Sequence, residues 1–210
     1  TGSISYQLNR YNAREANKIL RSNCYTLINT TNSISTTTGP YGLGFSDVYK
    51  IRSIKNANTG ADVTGSFTFD NGQRDNMYDH ATITPKALLP TNTQYLVNFD
   101  YFEPSFATGR GYFSIDSYPV NDTGTFDETI NIRTEEVPVY KSSKTGLIYD
   151  LRNSVDFRPV KSNTASYVTS PVGSPAVNPS TNASTPTRNF SLFFIVSSLE
   201  NNDTLVGVYW

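Results

Sequence analysis

Residues 94–103, QYLVNFDYFE, alternate with a period of two over their whole length. Tyr95, Val97, Phe99 and Tyr101 fall on one face, and Leu96, Asn98, Asp100 and Phe102 on the other. The spacing predicts a central strand. The stretches around it share the period. DVYKIRSI sets Val48, Lys50 and Arg52 opposite Tyr49, Ile51 and Ser53, GSFTFD puts Phe67 and Phe69 together, and GYFSI sets Tyr112 and Ser114 opposite Phe113 and Ile115 until Pro119 ends the run. INIRTEEVPVYKS and GLIYDLRNSVDFRP add extended segments. In the second, Asp150, Arg152, Asp156 and Arg158 share one strand face, while Leu151, Val155 and Phe157 share the other. A helical reading through Leu147, Ile148, Leu151 and Val155 competes, and Pro159 stops either.

Gly, Pro, Asn and Asp punctuate these runs roughly every eight to twelve residues, with β-branched and aromatic residues between them. That rhythm predicts a mainly β chain, an immunoglobulin- or fibronectin-III-like β-sandwich. In LLPTNTQY a proline five residues before Tyr95 has the spacing of a tyrosine corner, in which the phenol bonds back to the preceding loop. Helix signals are confined to YNAREANKILRSN, residues 11–23. There Tyr11, Ala16, Ile19 and Leu20 fall near one face and Asn23 can close the last turn, so one short N-terminal helix is expected.

The chain divides on these signals into an N-terminal helix and connecting segment (1–45), a β-sandwich domain (46–120) and an extended connector with strands (121–160). A flexible Ser/Thr/Pro-rich arm (161–188) and a C-terminal strand pair (189–210) follow. The arm, with SPVGSPAVNPSTNASTPT at its centre, offers too few apolar side chains to offset the cost of ordering it. The opening TGSISY and the single methionine suggest a piece of a longer polypeptide.

The 17 basic and 18 acidic residues are scattered without basic runs, which argues against nucleic acid or an anionic membrane as partner. The longest apolar run, LFFIV at 192–196, falls far short of the roughly 20 residues that span a bilayer. A single cysteine, Cys24, excludes an intramolecular disulfide and a cysteine metal cage, and is expected to be an inert thiol.

FDNGQRDNMYDH, residues 69–80, concentrates three Asp, one Arg and the only histidine of the chain. Asp70, Asp75 and Asp79 could offer oxygens to calcium, or His80 could act as a general base beside a carboxylate. Their spacing matches no EF-hand loop, and no nucleophile elbow, Walker or dinucleotide motif accompanies them. The structural reading makes the Asp70–Gly72 stretch a turn, gives Arg74 the task of bracing nearby carboxylates, and drops Tyr78 into the core. Glu135 and Glu136 in RTEEVP are adjacent, so on a strand they point to opposite faces and fit a solvated edge better than a glycosidase pair. No catalytic residue, cofactor or metal is therefore expected.

FDNGQRDNMYDH, LVNFDYFEPS, GYFSIDSYP and IYDLRNSVDFRP, in that order and spacing, resemble a conserved-domain family of unknown biochemical function. It is found in long virion structural proteins of contractile-tailed bacteriophages, in the baseplate and tail-fibre region. The resemblance runs from about Asp47 to Pro159, about half the chain. It implies a phage-tail location after synthesis in the host cytoplasm, with other virion proteins and copies of the chain itself as partners. The motif positions are Asp70, Gly72, Arg74, Asp75, Tyr78, Asp79, His80, Tyr95, Asp150, Arg152, Asp156 and Arg158, all expected to be structural. The alternative is a tail-fibre module that binds or degrades host-surface glycan, for which the 14 tyrosines could supply stacking surfaces. A degrading module would need a carboxylate pair roughly 5 to 10 Å apart.

Overall fold

A computed structural model describes residues 14–30, 37–105, 111–163, 170, 176–177 and 195–196. The chain is mainly β. In order the strands are β1 (Arg14–Glu15), β2 (Asn17–Asn29), β3 (Tyr41–Ser46), β4 (Val48–Asn56), β5 (Phe67–Asp70), β6 (Gln73–Arg74), β7 (Met77–Tyr78), β8 (His80–Pro85) and β9 (Gln94–Ser105). The shorter β10 (Gly111–Tyr112), β11 (Val139–Lys141), β12 (Ile148–Asp150), β13 (Val155–Asp156), β14 (Ala176–Val177) and β15 (Ile195–Val196) follow. Among the described residues no helix is long and apolar enough to cross a membrane.

Strand β9 lies between β2 and β4, antiparallel to both, and β14 adds in parallel to the far edge of β2. A second sheet has the order β3-β8-β5. The main core fills the space between them: Tyr95, Val97, Phe99 and Tyr101 of β9 meet Tyr41, Leu43 and Phe45 of β3 and Ile83 of β8. Phe45 sits 5.3 Å from the Phe99 ring and 4.8 Å from Tyr101, both tilted, the offset geometry that aromatic quadrupoles prefer. Each such side chain contributes about 1.5–3 kcal/mol on burial.

The opposite face of β9 is covered too. Phe102 and Leu20 pack under Tyr118, Ile132, Val137, Tyr140 and Leu151, so the irregular segment from 115 to 151 forms a third layer. The main core joins Cys24 and Ile28 with residues 48 to 101, across the sequence boundary at residue 46.

The N-terminal helix is a correction. Residues 17–23 belong to β2, which pairs with β9 from Asn17 to Asn29, while Tyr11 lies outside the described residues. Lys18 and Leu20 point inward, the register shifts between Arg21 and Cys24, and Cys24, Thr26 and Ile28 then point inward. Asn23 adopts φ 53° and gives its backbone N–H to the Asp100 carboxylate at 2.9 Å. The left-handed residue suited to a helix end makes a bulge instead, because a full-length pairing partner outweighs local helix preference.

Two extended runs are shorter than their alternation suggests. After β10 the chain turns into a 3-10 turn, Ile115–Ser117, because Ser114 Oγ accepts the Asp116 N–H and Ser117 Oγ accepts the Ser114 N–H. The 3-10 turn Leu151–Asn153 breaks the run from 148 to 158, so Asp150 and Arg152 do not share a strand face with Asp156 and Arg158. Residues 134–136 also form a 3-10 turn, so Glu135 and Glu136 are not on a strand.

The strand order differs from the immunoglobulin pattern. Of the seven strands in the two facing sheets, no two consecutive ones pair: β9 lies between β2 and β4, β8 lies between β3 and β5, and β14 adds to the far edge of β2. An immunoglobulin sandwich pairs neighbouring strands such as A with B and F with G. The Tyr95 ring packs edge-on against Phe67 at 5.7 Å, and the loop before it is tied by Thr30, whose Oγ1 donates to the carbonyls of Pro90 and Thr93. The arm expected at 161–188 lies outside the described residues, except 161–163, 170 and β14. The C-terminal strand pair does too, except β15, which pairs with β13.

Candidate functional site

The site worth building is the loop between β5 and β8 and the buried cluster beneath it. At the top, Asp70 Oδ1 accepts the Gly72 N–H at 2.9 Å and Asn71 Oδ1 accepts the Gln73 N–H at 3.0 Å, two side-chain turns in succession. Gly72 has φ +80°, and its carbonyl accepts the Asp79 N–H at 2.7 Å, which closes the loop. Arg74 grips both oxygens of Asp70 at 2.9 Å with its two terminal nitrogens. Burial pushes the Asp70 carboxyl up, but this fork and the Gly72 N–H outweigh it and hold the group below its ordinary range.

The other two carboxylates turn elsewhere. Asp75 accepts the Tyr140 hydroxyl at 2.6 Å, and Asp79 accepts the Lys161 ammonium at 2.8 Å and the His80 N–H at 2.8 Å. Among the described residues no three His, Cys, Asp or Glu side chains converge to hold a metal ion. The Asp70–Arg74 pair is half exposed, with side chains 47% and 38% accessible. Arg74→Ala is therefore expected to cost no more than about 1 kcal/mol in urea unfolding, as surface pairs do.

Below the loop the chain buries four charges. Asp156 and Arg158, both 2% exposed, form a fork in which Arg158 Nη2 donates to Asp156 Oδ2 at 2.7 Å and Nε to Oδ1 at 3.0 Å. Arg158 also donates to the Arg74 carbonyl at 3.0 Å and to Gln73 Oε1 at 3.2 Å, so it anchors the loop from beneath. Its guanidinium lies between the Tyr78 and Tyr140 rings, 4.4 Å from each centroid. The Tyr78 hydroxyl donates to Asp156 and accepts from Arg158 and Lys18, which uses its one proton and both lone pairs.

Lys18 completes the cluster. Its ammonium donates to Asp47 at 2.7 Å, the Tyr118 hydroxyl at 3.0 Å and the Tyr78 hydroxyl at 3.2 Å, and it faces the rings of Tyr78, Phe113 and Tyr118. Burial opposes both charges of the Lys18–Asp47 pair. For Lys18 the attraction of Asp47, Tyr118 and Asp156 outweighs it, while for Asp47 burial outweighs Lys18. Both groups thus hold a proton more tightly than in water.

His80 is 3% exposed, with Nε2 at 2.7 Å from the Ser162 carbonyl. A carbonyl only accepts, so Nε2 carries the proton and the buried Nδ1, which has no hydrogen-bond partner among the described residues, is the bare nitrogen. Burial, together with Lys161, pushes the imidazole below its ordinary value of 6.5. On acidification the unfolded chain takes up this proton first. Stability from His80 is therefore complete above about pH 6.5 and falls as pH drops below it. Urea midpoints measured from pH 7.5 to 5 should decline in the wild type and decline less in His80→Gln, whose amide can still donate to Ser162. Parallel curves would show that His80 does not set this slope.

The remaining motif residues lie apart. Asp150 and Arg152 form a half-exposed fork at 2.6–3.0 Å on the 3-10 turn after β12. Glu136 accepts the Tyr49 hydroxyl at 3.0 Å and the Arg133 N–H at 2.8 Å, while Glu135 is exposed. Both border a cleft of about 290 Å³ with Lys50, Phe126, Glu128 and Arg133, whose guanidinium stacks 3.8 Å over Phe126. Cys24 is fully buried, and burial pushes its thiol up to about 12, which makes it inert at neutral pH.

Sequence reasoning missed Lys18, Asp47, Gln73 and Tyr118. No local signal marks them: Lys18 reaches partners 29, 60 and 100 residues away. No family model, curated protein or solved structure matches the chain.

Proposed function

We propose that the chain is a rigid structural module of a bacteriophage virion, associated with tail, baseplate or fibre, that acts by assembly contacts rather than catalysis. The observation that carries this reading is the inward use of polar side chains: the motif residues Tyr78, Asp156 and Arg158 bond to one another and to Lys18, which holds Asp47, beneath the surface. A binding or catalytic site keeps polar groups convergent on an open pocket. These groups instead tie β2, the β3–β4 junction, the β7 hairpin strand and the segment at 156–158 together.

Two further observations support it. Consecutive strands cross between the sheets, with β9 between β2 and β4 and β8 between β3 and β5, a crossing compatible with a jelly roll, an architecture of viral capsid and lectin domains. On this strand order we propose a sandwich nearer the jelly roll than the immunoglobulin type, a likeness of fold alone. The β11–β12 hairpin exposes Val139, Leu147 and Ile148 at 51%, 57% and 67%, an apolar contact surface for a neighbouring subunit.

Mass spectrometry of purified virions tests the reading. The chain should be found within a polypeptide present at a fixed, repeated copy number per particle. Its absence from particles, with presence in the lysate, would reject it. A glycan array with the isolated chain separates the alternative, since specific glycan binding would move the assignment to host recognition.

A further inference from the structure

The geometry points to an intramolecular amide between Lys18 Nζ and Asp47 Cγ, formed by the folded chain on itself. Nζ stands 2.7 Å from Asp47 Oδ2, and a C–O length of about 1.23 Å then puts Cγ within about 3.9 Å of the nucleophile. The side chains are 1% and 3% accessible, so water can neither separate the pair nor hydrolyse the product readily. A fixed amine and carboxyl react without a bimolecular encounter, an advantage that reaches effective concentrations on the order of 10⁵ M or more.

Burial opposes both charges of the pair, and aromatic rings rather than water surround the amine. Nζ lies 4.4, 4.6 and 4.5 Å from the centroids of Tyr78, Phe113 and Tyr118, and Phe102 stands 5.8 Å away. In such a medium an ion pair is costly, and an amide removes both charges at once. The neighbouring Asp156–Arg158 pair balances itself and is left unchanged.

The step balances as a condensation. Asp47 takes one proton from the Lys18 ammonium across the 2.7 Å contact, and the freed Nζ lone pair attacks Cγ to form the C–N bond. A second proton passes from the nitrogen, which the Tyr118 hydroxyl holds at 3.0 Å, to the hydroxyl on Cγ. The C–O bond breaks and that oxygen leaves as water with both protons. Ammonium and carboxylate become one amide and one water, with no oxidant or reductant. The bond would staple β2 to the junction of β3 and β4.

Intact mass spectrometry of the denatured, purified full chain is the test. The expected result is a wild-type mass lower than the sequence mass by one water, and a branched peptide joining the Lys18 and Asp47 segments after proteolysis. Lys18→Arg should show the unreduced sequence mass, and Asp47→Asn should lose ammonia in place of water. A wild-type mass equal to that of the sequence overturns the proposal and leaves an ion pair. So does a water deficit that maps to a succinimide at another residue.

Discussion

Arg158→Ala is expected to destabilise the chain by about 3–5 kcal/mol, because removing one partner leaves the other charge buried and unpaired. Arg158 supplies the fork to Asp156, and without it the Arg74 carbonyl and Gln73 Oε1 lose their donor as well. For a chain of this size each kcal/mol moves the melting temperature by about 2–4 °C, so the midpoint should fall by roughly 6–20 °C. Arg158→Lys should fall between the two, since a lysine keeps the charge but cannot reach Asp156, Gln73 and the Arg74 carbonyl together. Thermal and urea unfolding of both variants beside Arg74→Ala is the check. The two arginines occupy similar sequence surroundings but differ in burial, with side chains 0% and 38% accessible. Equal losses at Arg74 and Arg158 would show that the buried network does not carry the stability assigned to it.

Gly72→Ala should cost about 3 kcal/mol or more, combining left-handed backbone strain with overpacking. A Cβ at position 72 would lie 2.2 Å from the Asp79 carbonyl oxygen and 2.8 Å from the His80 carbonyl carbon, and backbone atoms cannot swing aside as a side chain would. Gly60 is the matched control, with a similar φ of +76° but nothing within 4 Å of the added carbon. Gly60→Ala should lose only the conformational part, about 1–2 kcal/mol. If the two variants melt together, the close approach of Gly72 to the β8 entry does not constrain the loop.

Much of the architecture was legible locally because strand alternation is a local property. The period of two in residues 94–103 placed Tyr95, Val97, Phe99 and Tyr101 on one face, and all four are buried there. The same logic misled at residues 11–23: Ala16, Ile19 and Leu20 suit a helix face, yet Ile19 is 39% exposed and Lys18 is buried. Only the long pairing with β9, whose residues lie more than seventy positions away, turns that segment into a strand. Serine caps and the Leu151–Asn153 turn likewise interrupted runs whose alternation alone would have continued them.

The sequence by itself determined the β character, the central strand, the Gly72 turn and the exclusion of an intramolecular disulfide by a single cysteine. Those follow from side-chain period, turn chemistry and count. Tertiary structure alone decided that Arg158 is buried while Arg74 is not, that the three aspartates of the loop serve separate partners, and that Lys18 meets Asp47, Tyr78 and Tyr118. Charge pairing inside a fold depends on which distant strands become neighbours, and a residue's local sequence carries no record of a partner 29 or 100 positions away.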